Sequence, residues 1–166
     1  MGRVDKTFEW CLEKGKKIDS FGKHKGLRKI KEDIEESKRQ MIKADSDLSV
    51  MDYLFKGNRT GWVASAAYYV MYHSLLAILY KFGYESQNQE CTITLVEKFM
   101  KDRVISLEQE YIDIIRNVQD IENAKAIRED MQYGSKTFLE PKRCKKVMDD
   151  ARKFVERVRE LLEEGE

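Results

Sequence analysis

Residues 62–80 read WVASAAYYVMYHSLLAILY, a run without a formal charge and apolar on nearly every helical face. Such a run has two physical solutions, a membrane span or the central helix of a soluble bundle. The mid-run cluster of Tyr68, Tyr69, Tyr72, His73 and Ser74 would be costly in lipid. The flanking segments carry apolar residues on one face only, and such faces need a partner to cover them. The stretch therefore predicts a buried central helix in an all-α antiparallel helical bundle, with no membrane partner.

Towards the N-terminus, Leu27, Ile30, Ile34, Ser37, Met41, Ala44, Leu48, Met51 and Phe55 recur at alternating intervals of three and four. That spacing keeps one stripe on one helical face and predicts a long first helix from Leu27. "DSD" at 45–47 offers a new cap at which it could restart. "KGNR" at 56–59 breaks the chain, and Asn58 or Thr60 is placed to cap the central helix. Beyond it, Gly83 supplies a left-handed stop, and "ESQNQE" at 85–90 reads as a polar loop.

Ile93, Val96, Phe99 and Met100 mark a shorter amphipathic helix. Ser106 with Gln109 has the capping-box pattern, opening a helix through Leu107, Tyr111, Ile114, Val118 and Ile121 that runs to Tyr133, where Gly134 stops it. Pro141 suits the first turn of the last helix, whose apolar line is Cys144, Val147, Ala151, Phe154, Val158 and Leu161. No segment shows strand alternation. The expectation is about five helices with short connections.

The 166 residues fit one domain, divided into a basic N-terminal extension at 1–26 and a bundle domain at 27–166. Net charge is only +1, yet residues 1–31 carry ten Lys/Arg against four Asp/Glu, leaving the remainder net negative. Clustered lysines of this kind meet phosphate or acidic surfaces, or simply solubilise a tail. Cys11, Cys91 and Cys144 are odd in number and far apart, without a CxxC pair, and only two histidines accompany them. Neither a zinc site nor a disulfide framework is expected. The start lacks the apolar stretch of a signal peptide, so the expected location is cytoplasmic.

Glycine-rich phosphate loops, GxSxG elbows, HExxH and calcium-loop motifs are absent from the sequence, and no cofactor or metal is called for. Chemistry would have to come from residues borne on helices. Tyr69 and His73 are neighbours on the central helix by the three-four rule, either as a satisfied polar layer or as ligand-binding groups. "KRCKK" at 142–146 opens the last helix with cations that oppose its dipole, which a bound phosphate would reverse. "IREDMQYG" at 127–134 gathers Arg128, Glu129, Asp130 and Tyr133. On a regular helix Arg128 and Tyr133 are about 140° apart, so they can line two walls of a groove but not pair tightly. Arg128 would hold a phosphate, Asp130 would orient it, and Tyr133 would donate a hydrogen bond or stack on a base.

The stretch "RTGWVASAAYYVMYHSLLAILYKFGY" resembles the central helix of HEPN proteins, in which an arginine, spaced alanines, an A-Y-Y-x-M-[FY]-H run and a glycine recur. "IREDMQYG" then falls where that family carries an R-x(4-6)-H motif or, in one subgroup, an arginine followed by an Asp and a Tyr. The resemblance covers residues 27–162. It implies a helical bundle that forms homodimers and binds nucleotide or RNA, or acts as a metal-independent endoribonuclease, often beside a nucleotidyltransferase partner in a toxin-antitoxin pair. Arg128 matches the motif's arginine, while Tyr133 stands where the nearest histidine would be, and no histidine follows Arg128.

Two readings follow. The first is a non-catalytic binding protein for nucleotide, RNA or a nucleotidyltransferase, using Arg128, Asp130 and Tyr133 with Tyr69 and His73. The second is a ribonuclease in which Tyr133 or His73 replaces the missing histidine, catalysis resting on Arg128 and Tyr133. A structural dimer with an empty groove is a third outcome.

Overall fold

The computed structural model describes residues 2–131 and 139–164, and of residues 125–131 the backbone only. In chain order the elements are α1 (Arg3–Gly15), β1 (Leu27–Lys29), α2 (Ile34–Lys56), α3 (Thr60–Lys81), β2 (Tyr84–Ser86), α4 (Gln89–Lys101), α5 (Gln109–Met131) and α6 (Pro141–Glu163). The protein is an all-α bundle carrying one small two-stranded sheet.

Helix α3 is the hub. It packs against α2, α6, α5 and α4, and Val63, Ala67, Val70, Met71, Leu75 and Ile78 are fully buried along it. By length and composition α3 could cross a membrane, yet 67% of its apolar window is buried inside the protein. The cover comes from single-faced helices, as the sequence predicts: Cys144, Val147, Ala151, Phe154, Val158 and Leu161 of α6 are all buried. Gly83 ends α3 at φ +84°, a left-handed conformation that costs glycine little.

The stripe from Leu27 is not all helix. Asp33 caps α2, accepting from the Glu36 amide at 2.9 Å, and the helix runs unbroken through "DSD". Leu27–Lys29 is instead a strand, antiparallel to Tyr84–Ser86, with Leu27 opposite Ser86. The turn at Gly83 places this partner alongside, and the Ile30 amide extends the pairing by donating to the Gly83 carbonyl at 2.8 Å. Leu27 and Ile30 share the helical spacing by coincidence. The "ESQNQE" stretch likewise contributes Glu85 and Ser86 to β2, after which the Asn88 side chain caps α4 by accepting from the Cys91 amide at 3.0 Å.

Two predicted caps do not form. Helix α3 has Arg59 at its N-cap without a side-chain bond, and Asn58 takes a left-handed turn instead. Helix α5 opens at Gln109, too late for a box with Ser106, whose carbonyl accepts from the Arg157 guanidinium at 2.7 Å.

The N-terminal extension is docked against α4. Cys11 of α1 and Cys91 of α4 form a disulfide, 80 residues apart in sequence, and both are fully buried. This corrects the expectation from cysteine count and spacing, since a pairing between two helices leaves no local pattern to read. Cys144 remains free and buried. Gly15 is required by close approach: a Cβ there would lie 1.8 Å from the Leu27 carbonyl oxygen, so no larger residue lets β1 cross the end of α1.

Asp5 adds an electrostatic clasp, hydrogen-bonded to Lys101 and, at 3.1 Å, to Lys98. The Lys101 and Lys98 hydrogen bonds lower its carboxyl from the ordinary 3.8 to about 2. A carboxyl depressed in the folded state stabilises it above the ordinary carboxylate range, and that contribution fades as pH falls toward about 2. Amide exchange in α1 is therefore expected to quicken selectively below the carboxylate range. In Asp5→Asn that acid dependence should vanish, and its persistence would assign the clasp elsewhere.

Candidate functional site

The tyrosine-histidine row of α3 faces a seam between α2 and α4. Tyr69 and His73 stack with ring centroids 6.0 Å apart, as do Tyr68 and Tyr72. His73 Nδ1 lies 2.5 Å from Asp47 Oδ2 on α2. An ionised carboxylate only accepts, so in this contact Nδ1 carries the donated proton. Nothing in the sequence marked Asp47, because it is 26 residues away on another helix.

On the other flank, the Tyr68 hydroxyl donates to Gln89 Oε1 at 3.0 Å, and Thr92 Oγ1 lies 3.4 Å from the Tyr72 hydroxyl. Burial pushes both phenols above their ordinary range, so neither exchanges protons near neutral pH. Tyr69 is 46% exposed, and Trp62, seven residues earlier on the same face, is 58% exposed. The row is a satisfied polar layer at depth and an aromatic surface at its rim.

Charge around the row is mostly acidic. Asp47 holds His73, and Glu122 of α5 accepts from Ser65. Arg116 is clamped by Glu90 at 3.0 Å and Glu97 at 2.7 Å. Those carboxylates, Glu90 first, hold its guanidinium further above its ordinary value. Among the described residues, a phosphate meets little free positive charge here.

Of the "IREDMQYG" motif, residues 127–131 lie on the last turns of α5, away from this row. Helix α5 runs antiparallel to α3, with Gln119 beside Tyr68 and Glu122 beside Ser65. At 1.5 Å per residue, Arg128 is carried about 9 Å beyond Glu122, level with the start of α3, while His73 is about 12 Å beyond Ser65 in the opposite sense. Arg128 and His73 of one chain are thus separated by about 20 Å along the bundle axis, far more than an arginine side chain spans. Asp130 follows on the same final turns of α5. The side chains of Arg128 and Asp130, and all of Tyr133, lie outside the described residues.

The structure therefore brings Tyr69 and His73 together and sets Arg128 and Asp130 apart from them. At the start of α6, Lys142, Arg143 and Lys145 are exposed, whereas Lys146 is paired with Asp150 at 2.7 Å.

Comparison with known families gives a match to the HEPN domain over residues 35–161. No curated protein matches the chain.

Proposed function

The chain belongs to the HEPN family, whose members act on or with nucleotides and RNA, and we propose that this member is a non-catalytic binding protein for RNA or nucleotide that works as a homodimer. One observation carries the reading: the bundle's only histidine, His73, is tied to Asp47 on α2, and helix rise puts it about 20 Å along the axes from Arg128 of the same chain. With no histidine after Arg128, the general acid/base that RNA cleavage needs is missing beside the phosphate anchor. Binding does not need that group. Arg128 holds phosphate bidentately, Asp130 orients it, and Tyr133 supplies a hydrogen bond or a stacking face.

Exposed apolar residues support self-association. Val50 and Tyr53 on α2 and Tyr69 on α3 are 47%, 78% and 46% exposed, large apolar side chains of the kind that a partner surface covers. A nucleotidyltransferase, as in toxin-antitoxin pairs, is the protein partner the family implies.

The test is metal-free incubation of the purified protein with a mixed-sequence single-stranded RNA, recording binding and cleavage together. Binding without cleavage is expected, weakened roughly tenfold by Arg128→Ala through loss of a charge-assisted bidentate contact. Cleavage abolished by both Arg128→Ala and Tyr133→Phe would instead make the protein a ribonuclease with tyrosine in the histidine's place. RNA and nucleotide affinity indifferent to Arg128→Ala would refute the anchor.

A further inference from the structure

The loop between α1 and β1 presents a feature that the family match leaves outside its span. Residues 16–31 contain seven Lys/Arg and a single acid, Asp19. Lys16 is paired with Glu13. Lys17, Lys23, Lys25, Lys29 and Lys31 are exposed and form no salt bridge among the described residues, although Lys23 and Lys25 lie in the field of Asp19 and Lys17 in that of Glu13. By contrast, Lys98, Arg116, Arg157 and Arg159 of the bundle are each salt-bridged.

At the tip of this loop Phe21 is 84% exposed and Ile18 is 60% exposed. The tip is ordered. Asp19 accepts from the Phe21 and Lys23 amides at 2.8 and 3.0 Å, and its own amide donates to the Lys23 carbonyl at 2.8 Å. Ile18 and His24 form an antiparallel bridge. The base of the loop is clamped where Gly26 meets Cys11 and Gly15 of α1, next to the Cys11–Cys91 disulfide. Beside it, Trp10 of α1 is half exposed with Lys14 5.3 Å from its ring centroid. Phe21 thus gains nothing from burial while being held in one place, an arrangement that lowers the ordering cost of binding.

We propose that this loop is a second nucleic-acid contact, in which Phe21 stacks on a base of single-stranded RNA while Lys23, Lys25, Lys29 and Lys31 follow its phosphates. The inference rests on the reading that RNA is the ligand. An aromatic platform beside unpaired cations is the general chemistry of sequence-tolerant single-strand binding. Lys29 and Lys31, two residues apart at the end of β1 and just beyond it, lie on the same side and extend the charge away from the tip in a line. A linear polyanion matches a line of charge better than a lipid surface does, since a surface calls for cations ringing the apolar tip in one plane.

The experiment uses the full chain and a fluorescein-labelled mixed-sequence single-stranded RNA, titrated at several salt concentrations, with phosphatidylserine vesicles as a parallel probe. Phe21→Ala is expected to weaken RNA binding roughly tenfold with an unchanged salt slope. The double variant Lys23→Glu/Lys25→Glu should weaken it further and flatten the slope by about one to two. Because these side chains are exposed, circular dichroism should be unaltered in each variant. If both loop variants bind RNA as the parent does while Arg128→Ala binds poorly, the loop proposal fails and the Arg128 anchor stands. If the loop variants lose binding and Arg128→Ala does not, the loop proposal holds and the anchor fails. Vesicle binding that depends on Phe21, without RNA binding, would overturn the proposal in favour of a membrane contact.

Discussion

Cys11→Ser is expected to lower the free energy of unfolding by about 4 kcal/mol, because the disulfide closes a loop of 80 residues whose freedom the unfolded chain would otherwise regain. The cross-link joins α1, outside the matched family segment, to α4 within it. Its loss also leaves an unpaired buried thiol at Cys91, which is fully enclosed in the folded protein. Urea unfolding with and without reductant measures the effect. The oxidised parent should be the most stable, and reduction should bring it near the variant, while the variant itself is insensitive to reductant. A loss well under 1 kcal/mol would show that the Asp5 clasp and the packing of Phe8 against Tyr84 hold α1 unaided.

Phe154→Ala is expected to cost about 3–5 kcal/mol. Phe154 is the largest of the fully buried side chains, set edge-on to Tyr111 at 5.8 Å between ring centroids. Truncation removes the ring and leaves a cavity in a core whose neighbours on α3 and α6, such as Met71 and Val155, are themselves buried and packed. Denaturant melts should show a lower midpoint with an unchanged slope. Phe21→Ala is the informative contrast, because a phenylalanine exposed at 84% should change stability by less than about 0.5 kcal/mol. Comparable losses in the two variants would contradict the placement of both rings.

Much of the fold was legible because its causes are local in sequence. The uncharged run at 62–80 could be satisfied only by neighbours on every side, and the one-sided stripe of α6 named six of its eight buried positions in advance, missing Met148 and Val155. The strand at Leu27–Lys29 was not legible, since three residues contain too little alternation to compete with a helical period running through them. Caps were read less well than helices. A single side chain decides a cap, and α5 opens at Gln109, where the box that Ser106 would begin has no place.

The site was legible in part for the same reason. That Tyr69 and His73 meet follows from four-residue spacing on one helix. That His73 is held by Asp47, and that Arg128 stands about 20 Å from it, depends on how α2 and α5 are laid against α3, which no spacing encodes.

By itself, then, the amino-acid sequence determined the all-α bundle, its central helix, the basic N-terminal segment and the absence of a histidine after Arg128. Periodicity and composition act within one helix or one run of charge. Only the tertiary structure decided the Cys11–Cys91 bond, the β1–β2 pairing, the Asp47–His73 contact and the outward placement of Phe21. Each of these joins or orients groups whose proximity arises when separate elements pack, a property of the whole chain's burial rather than of any segment's pattern.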